Sequence, residues 1–130
     1  MSVLRGIRVL EFEAIGPAPF GTMLLADMGA DVIRVHRAVE AGDLGFKSGG
    51  RNVNIPGRAP RSVTLDLKRP EGIEAALQLI ERADVLVEGL RSGVMDKLGL
   101  GPGAALARNP KLVYARMTGW GQDGPLAQRA

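Results

Sequence analysis

The sequence contains no cysteine, which excludes disulfides, thiolate metal sites and cysteine nucleophiles. It contains one histidine, His36, so a multi-histidine metal site within these residues is excluded as well. Aromatic residues make up only 4% of the chain, and no Lys/Arg block is interleaved with them, so a nucleic-acid partner is not expected. No apolar run is long enough to span a membrane, and the first residues lack the apolar core of a signal peptide. A soluble, cytoplasmic protein without membrane association is the expectation.

What is present is aliphatic. Apolar residues reach 45% of 130, enough for one domain over residues 1–130 with a core of Leu, Val, Ile, Ala and Met. The formal charge is +3, from seventeen basic and fourteen acidic residues, a mild excess that suits a small anionic ligand.

The stretch from Ile7 to Arg37 reads as strand, turn, helix, strand. Ile7, Val9, Leu10 and Phe12 form a β-rich run, and Gly16-Pro17-Ala18-Pro19 breaks it. Met23, Leu24, Leu25, Ala26 and Met28 give an apolar helical segment that Gly29 stops, and Asp31 to Val35 is a second strand. Such a unit asks for parallel strands and a right-handed crossover. From about Ala38 to Pro60 a glycine- and proline-rich loop is expected. Arg61 to Leu67 alternates as a third strand, and Pro70 opens a helix with Ile73, Ala76, Leu77, Leu79 and Ile80 on its buried stripe. Asp84 to Glu88 is a fourth strand. Two short helices, Val94 to Leu98 and about Ala104 to Arg108, precede a fifth strand at Leu112 to Met117, and a glycine-rich tail follows. Strands alternate with helices throughout, so the predicted fold is α/β: a mostly parallel sheet with flanking helices, Rossmann-like.

The first chemistry to test is dinucleotide binding. The fit is poor: G-x-G-x-x-G is absent, and Pro17 and Pro19 remove two backbone donors that a pyrophosphate could use. The second strand ends in Arg34, His36 and Arg37, with no acid for a ribose diol. Arginine there suits a ribose phosphate, as in NADP or coenzyme A, and can also stack on adenine. Arg37, Lys68 and Arg91 follow three successive strands, and in a parallel sheet their ends share one edge. His36 reads as a polar loop residue rather than a base. Asp123 reads as a turn residue, and Glu88 as a strand-end acid that orients backbone or a nearby cation.

Four segments then carry a resemblance: LRGIRVLEFEAIGPAPFGTMLLADMGADVIRVHR, RSVTLDLKRPEG, ADVLVEGLRSGVMDKLGLGP and NPKLVYARMTGWGQDGP. Together they resemble the family III CoA-transferases over essentially the whole chain, and within them the α-methylacyl-CoA racemases. The GPAPF turn is similar to the racemase branch, since the polar glutamine of the transferase branch is absent near it.

The resemblance implies an acyl-CoA substrate, with CoA as part of the substrate and no separate cofactor or metal. It implies that Arg37 contacts the adenine end of CoA, that Leu65, Asp66, Leu67 and Lys68 line the nucleotide, and that Gly89, Leu90 and Arg91 lie beside the pantetheine and phosphates. Lys97 stands where the racemases often carry a phosphate-binding arginine; lysine keeps the charge without the planar fork. Ile15, Gly16 and Pro17 match the turn near the thioester. Pro60 replaces a family lysine before the third strand and stiffens that approach.

The resemblance also implies a His/Asp two-base pair that removes and returns the proton at C2 of a 2-methylacyl thioester. Its histidine follows the G-W-G-Q-x-G-P loop, and no matching Gly-His-Asp occurs by Ala130. No catalytic residue is therefore assigned, and these 130 residues alone are expected to lack racemase activity. The family resemblance implies a homodimer. A CoA-transferase and a non-catalytic CoA-binding module are the alternatives.

Overall fold

The computed structural model describes residues 2–38 and 61–129. The loop expected from about Ala38 to Pro60 lies, apart from Ala38, outside the described residues. Five strands form one sheet: β1 (Arg8–Phe12), β2 (Asp31–Arg37), β3 (Arg61–Leu65), β4 (Val85–Glu88) and β5 (Val113–Arg116). Their order is β3-β2-β1-β4-β5, and every neighbouring pair is parallel. The α/β expectation holds, with each predicted strand present.

Helix α1 (Pro17–Asp27) links β1 to β2 and packs on one face of the sheet. Helix α2 (Pro70–Arg82) links β3 to β4, and the short α3 (Val94–Lys97) and α4 (Pro102–Arg108) link β4 to β5. The last three cover the opposite face. The chain leaves β1 toward β2 on one side and later returns to β4 on the other, so the winding reverses between β1 and β4.

Period-two alternation divides the strand residues between the two faces. Leu10, Phe12, Val35 and Leu86 pack with Ala76 and Ile80 of α2, Met95, Leu100 and Ala105 in one cluster. Val9, Val32 and Val87 pack with Ala18 of α1 in another. Helix α2 fits its place well. Pro70 starts it, Glu71 sits in its first turn and Arg82 in its last, matching the helix dipole.

Helix α1 begins earlier than the sequence suggests. Pro17 and Pro19 do not break the chain; they occupy the helix's first turn, where a backbone N–H has no acceptor to lose. Gly16, at φ +87°, makes the sharp turn into it. The third strand stops at Leu65 rather than Leu67, and Leu67 turns its side chain into the α2-side core. His36 belongs to β2, not to a loop, and its Nδ1 lies 3.1 Å from Glu13 Oε1.

The middle of the α1 face holds charge. Glu11 is fully buried; its Oε2 accepts hydrogen bonds from Thr22 Oγ1 at 2.6 Å and from Arg34 Nη2 at 3.1 Å. Arg34 Nε also lies 3.0 Å from Glu11 Oε1, out of line for a hydrogen bond, so that contact is purely ionic. Parallel register explains the pair: Glu11 stands opposite Arg34. Among the described residues no helix is long and apolar enough to cross a membrane.

Candidate functional site

In an open parallel sheet, ligands bind beyond the carboxyl ends of the strands where the winding reverses. Here that place lies past β1 and β4, and the structure has a cleft of about 190 Å³ there. Ile15 and Pro17 line it from the β1–α1 turn, and Gly89, Leu90, Arg91 and Ser92 line it from the loop after β4. Met117, Trp120 and Arg129 close it from the segment after β5.

The two loops meet closely because of Gly89. A Cβ at that position would stand 3.0 Å from the Ala18 Cβ and 3.2 Å from the Ala14 Cβ. Glycine with two alanines lets the start of α1 press against the exit of β4. The segment after β5 is fastened to the same loop: Ser92 Oγ donates to the Gln122 carbonyl and side-chain oxygens, both at 3.1 Å. Gln128 Nε2 donates to the Ser92 carbonyl at 3.4 Å.

Beneath this loop lies Glu88, the last residue of β4 and only 3% exposed. The Leu90 N–H donates to Glu88 Oε2 at 2.8 Å. Arg116 Nε lies 3.5 Å from Glu88 Oε1, and Arg116 Nη2 donates to Asp96 Oδ2 at 2.6 Å. Burial pushes the Glu88 carboxyl above the ordinary glutamate range; the Leu90 N–H and Arg116 oppose this without cancelling it. Burial likewise raises the Tyr114 hydroxyl, which donates to the Leu100 carbonyl at 2.9 Å. The reading of Glu88 as a residue that orients backbone and a cation matches this geometry.

The remaining predicted residues lie along the same sheet edge but outside the cleft. Arg37 ends β2 opposite Leu65, the end of β3, and the Ala38 N–H donates to the Leu65 carbonyl at 3.0 Å. Asp66 Oδ1 accepts the Lys68 N–H at 3.0 Å, closing a tight turn before α2. Gly72 allows that turn to sit on the helix, since a Cβ there would fall 1.9 Å from the Asp66 carbonyl oxygen. Leu67 is buried, so only its backbone can face a ligand. Lys97, exposed at the end of α3, does not line the cleft.

The sheet thus gathers two groups. Ile15, Pro17, Gly89, Leu90 and Arg91 share the cleft, with Gly16 making the turn behind it. Arg37, Leu65, Asp66 and Lys68 cluster at the β2–β3 end. Arg37 and Arg91 make no ion pair among the described residues, whereas Arg8, Arg34, Arg61, Arg108 and Arg116 all do. The edge is also uneven. The β1–β2 register ends at Phe12 opposite Val35, with the Glu13 N–H still donating to the Val35 carbonyl at 2.9 Å, while β2 pairs with β3 through Arg37 and Leu65. At about 3.3 Å per residue, the β2–β3 pairing runs roughly 7 Å past the last β1–β2 pair.

Sequence reasoning missed Met117, Trp120, Ser92 and Arg129 as cleft residues. Their only signal was position, directly after a strand end in a glycine-rich segment. His36 and Glu13 do not line the cleft, and neither does any other acidic residue among the described residues. Among the described residues no group of three or more His, Asp or Glu side chains is gathered to hold a metal ion.

The comparisons with known proteins agree with this architecture. The CoA-transferase family III profile matches residues 4–130, and the chain belongs to that family. The α-methylacyl-CoA racemase of Mus musculus is 48% identical over 94% of this chain and 29% of its own length. That of Homo sapiens is 44% identical over 98% of this chain and 31% of its own. Rv3272 of Mycobacterium tuberculosis, named a probable fatty acyl-CoA transferase, is 37% identical over 97% of this chain and 34% of its own. A crystal structure of Rv3272 superposes with a TM-score of 0.83, covering 99% of this chain and 37% of that one at 38% identity. The chain spans about a third of the length of these relatives.

Proposed function

We propose that this chain is the CoA-binding part of an α-methylacyl-CoA racemase-like protein. The parent reaction would remove and return the proton at C2 of a 2-methylacyl-CoA, whose thioester acidifies that position. The observation that carries this reading is the cleft at the β1–β4 reversal. It brings the Ile15–Pro17 turn, the Gly89–Arg91 loop and Trp120 together, with Arg91 unpaired among the described residues. Identity to the two racemases, 48% and 44%, exceeds that to CoA-transferase relatives, which reach 41%, and this narrow margin supports the racemase reading.

In this reading Arg91 meets the CoA phosphates, while Arg37 and Lys68 take the 3′-phosphorylated adenosine at the β2–β3 end. Ile15, Gly16 and Pro17 pack beside the thioester. The cleft is too small for a whole acyl-CoA, so most of the ligand would lie along the open edge. Among the described residues no acid or histidine lines the cleft, so in this reading the residues that do line it bind and orient the thioester and move no proton.

Calorimetry with CoA and dephospho-CoA tests the reading. CoA should bind more tightly, and Arg37→Ala should remove the difference, about tenfold for one charge-assisted contact. Failure of both ligands to bind would refute it. Deuterium exchange at C2 of a 2-methylacyl-CoA in heavy water should be absent with these 130 residues, and its appearance would overturn the binding-only role.

A further inference from the structure

The loop that shapes the cleft is flanked by Gly89 and Gly93, the latter at φ +84°. Ser92 ties its far end to the segment after β5, and a carboxylate holds its near end. Glu88 holds the Leu90 N–H from below and faces Arg116, which in turn holds Asp96. One glutamate and one arginine therefore join the exit of β4, the end of β5 and α3. Neither Glu88 nor Arg116 lines the cleft. Burying a carboxylate is costly, and an apolar residue would serve the core as well. The charge at this position calls for another reason.

We infer that Glu88, oriented by Arg116, is a positioning residue that holds Leu90 and Arg91 in the ligand-ready arrangement, and that this arrangement requires Glu88 to be ionised. The inference rests on the reading that the cleft takes acyl-CoA. The groups facing Glu88 are Arg116 and Tyr114 on β5, Asp96 on α3 and the Leu90 N–H of its own loop. Burial and Asp96 both favour the protonated acid. Glu88 accordingly takes up its proton at higher pH than an exposed glutamate. Arg116 then loses its charged partner on β4, and the loop loosens as the pH falls.

The test uses the 130-residue chain, with CoA calorimetry and amide hydrogen-exchange protection factors between pH 7.5 and 5. In the parent protein, CoA affinity and Leu90 protection should fall together as the pH falls. Glu88→Gln keeps an acceptor for Leu90 but carries no charge. It should bind CoA about tenfold more weakly at pH 7.5, the scale of one hydrogen bond to a charged group, and should lose the parent's additional pH dependence. At every pH it should hold Leu90 protection at the parent's low-pH level, where a neutral acceptor replaces the charged one, and Glu88→Ala should lower that protection further. Asp96→Asn, on the exposed end of the chain of contacts, should keep the pH dependence and lose about twofold in affinity.

A Glu88→Gln protein with unchanged affinity, pH profile and Leu90 protection would overturn the inference. If the Glu88 variants do not fold, Arg116→Lys decides: Leu90 protection that no longer depends on pH as in the parent supports the inference, and an unchanged profile overturns it. If the parent binds no CoA, the functional reading fails by itself. The Leu90 exchange profile, which needs no ligand, still decides the role of Glu88.

Discussion

The two faces of the sheet are built differently. On the α2 side, Leu10, Phe12, Leu86, Ile80, Met95 and Leu100 are essentially inaccessible and form one continuous cluster. On the α1 side, the buried apolar set is only Val9, Ala18, Val32 and Val87, and a Glu11–Arg34–Thr22 group sits among them. Val113 of β5 is 60% exposed there, and Phe20, Met23 and Leu24 of α1 face outward. A helix that is apolar all round is normally buried. The α2 side is therefore a finished core, while the α1 side has the character of a surface that further polypeptide covers. The relatives, three times as long, have that polypeptide to offer; a second copy of this chain could also cover the face.

The comparison can be broken most directly in the finished core. Ile80→Ala or Leu86→Ala should cost about 2–5 kcal/mol, because neighbours packed on every side cannot close the cavity. Compared like for like, Val87→Ala on the thinner face should cost visibly less than Val35→Ala in the finished core. Urea denaturation of the two valine variants measures the contrast, and equal losses would mean that the faces are equally consolidated.

A second test removes the buried charge. Glu11→Ala leaves Arg34 without its counter-charge, while Thr22 keeps the Pro19 carbonyl as an acceptor at 3.1 Å, and stability should fall by about 2–3 kcal/mol, below the full cost for a sealed pair because Arg34 is partly exposed. Glu11→Gln should lose less, since it still accepts from Thr22. A loss as small as that of a surface mutation would show the trio to be incidental.

The third test addresses cover. Met23→Lys with Leu24→Gln should change folding stability by no more than about 0.5 kcal/mol. It should shift the chain from self-associated toward monomeric in light scattering, because exposed apolar patches drive association. A parent chain that is already a monodisperse monomer would contradict the reading of the α1 face.

The smallest effect touches neither face and sets the baseline for both. The backbone N–H and guanidinium of Arg8 hold the Asp84 carboxyl below the usual carboxylate range. Its folded pKa is depressed, so its contribution is present above the unfolded value of about 3.9 and is lost as pH falls through the folded one. Asp84→Asn should flatten the acid limb of stability below about pH 4. Its urea midpoint near neutrality should drop only slightly, because the pair is exposed.

The sheet was legible because each strand announces itself locally: β-branched runs bounded by glycine, proline or charge. The start of α1 was not, because proline reads as a breaker unless the first turn is already known to begin there. Glu11 carries no local signal in an apolar strand; only the register that sets it opposite Arg34 explains it. Leu67 alternates with Leu65 and so read as strand. The chain instead turns at Asp66, and α2 draws Leu67 into the core.

The cleft was half legible. Ile15–Pro17 and Gly89–Arg91 could be named from the resemblance, and the strand order brings them together. Met117 was placed at the end of the fifth strand, where its N–H donates to the Glu88 carbonyl at 2.8 Å, but not in the cleft; Trp120 could not be placed, because its segment is held by the Ser92–Gln122 contact, which leaves no periodic trace.

The uneven carboxyl edge has a consequence for length. Any single molecule that touches both Arg37 and the notch at Leu90 must climb from a lower tread to a higher one while crossing the width of β1. In the proposed reading a bare nucleotide would meet only the upper tread and a short thioester only the notch. Strand register would then act as a caliper, selecting for separation between a ligand's two ends before any side chain discriminates its chemistry.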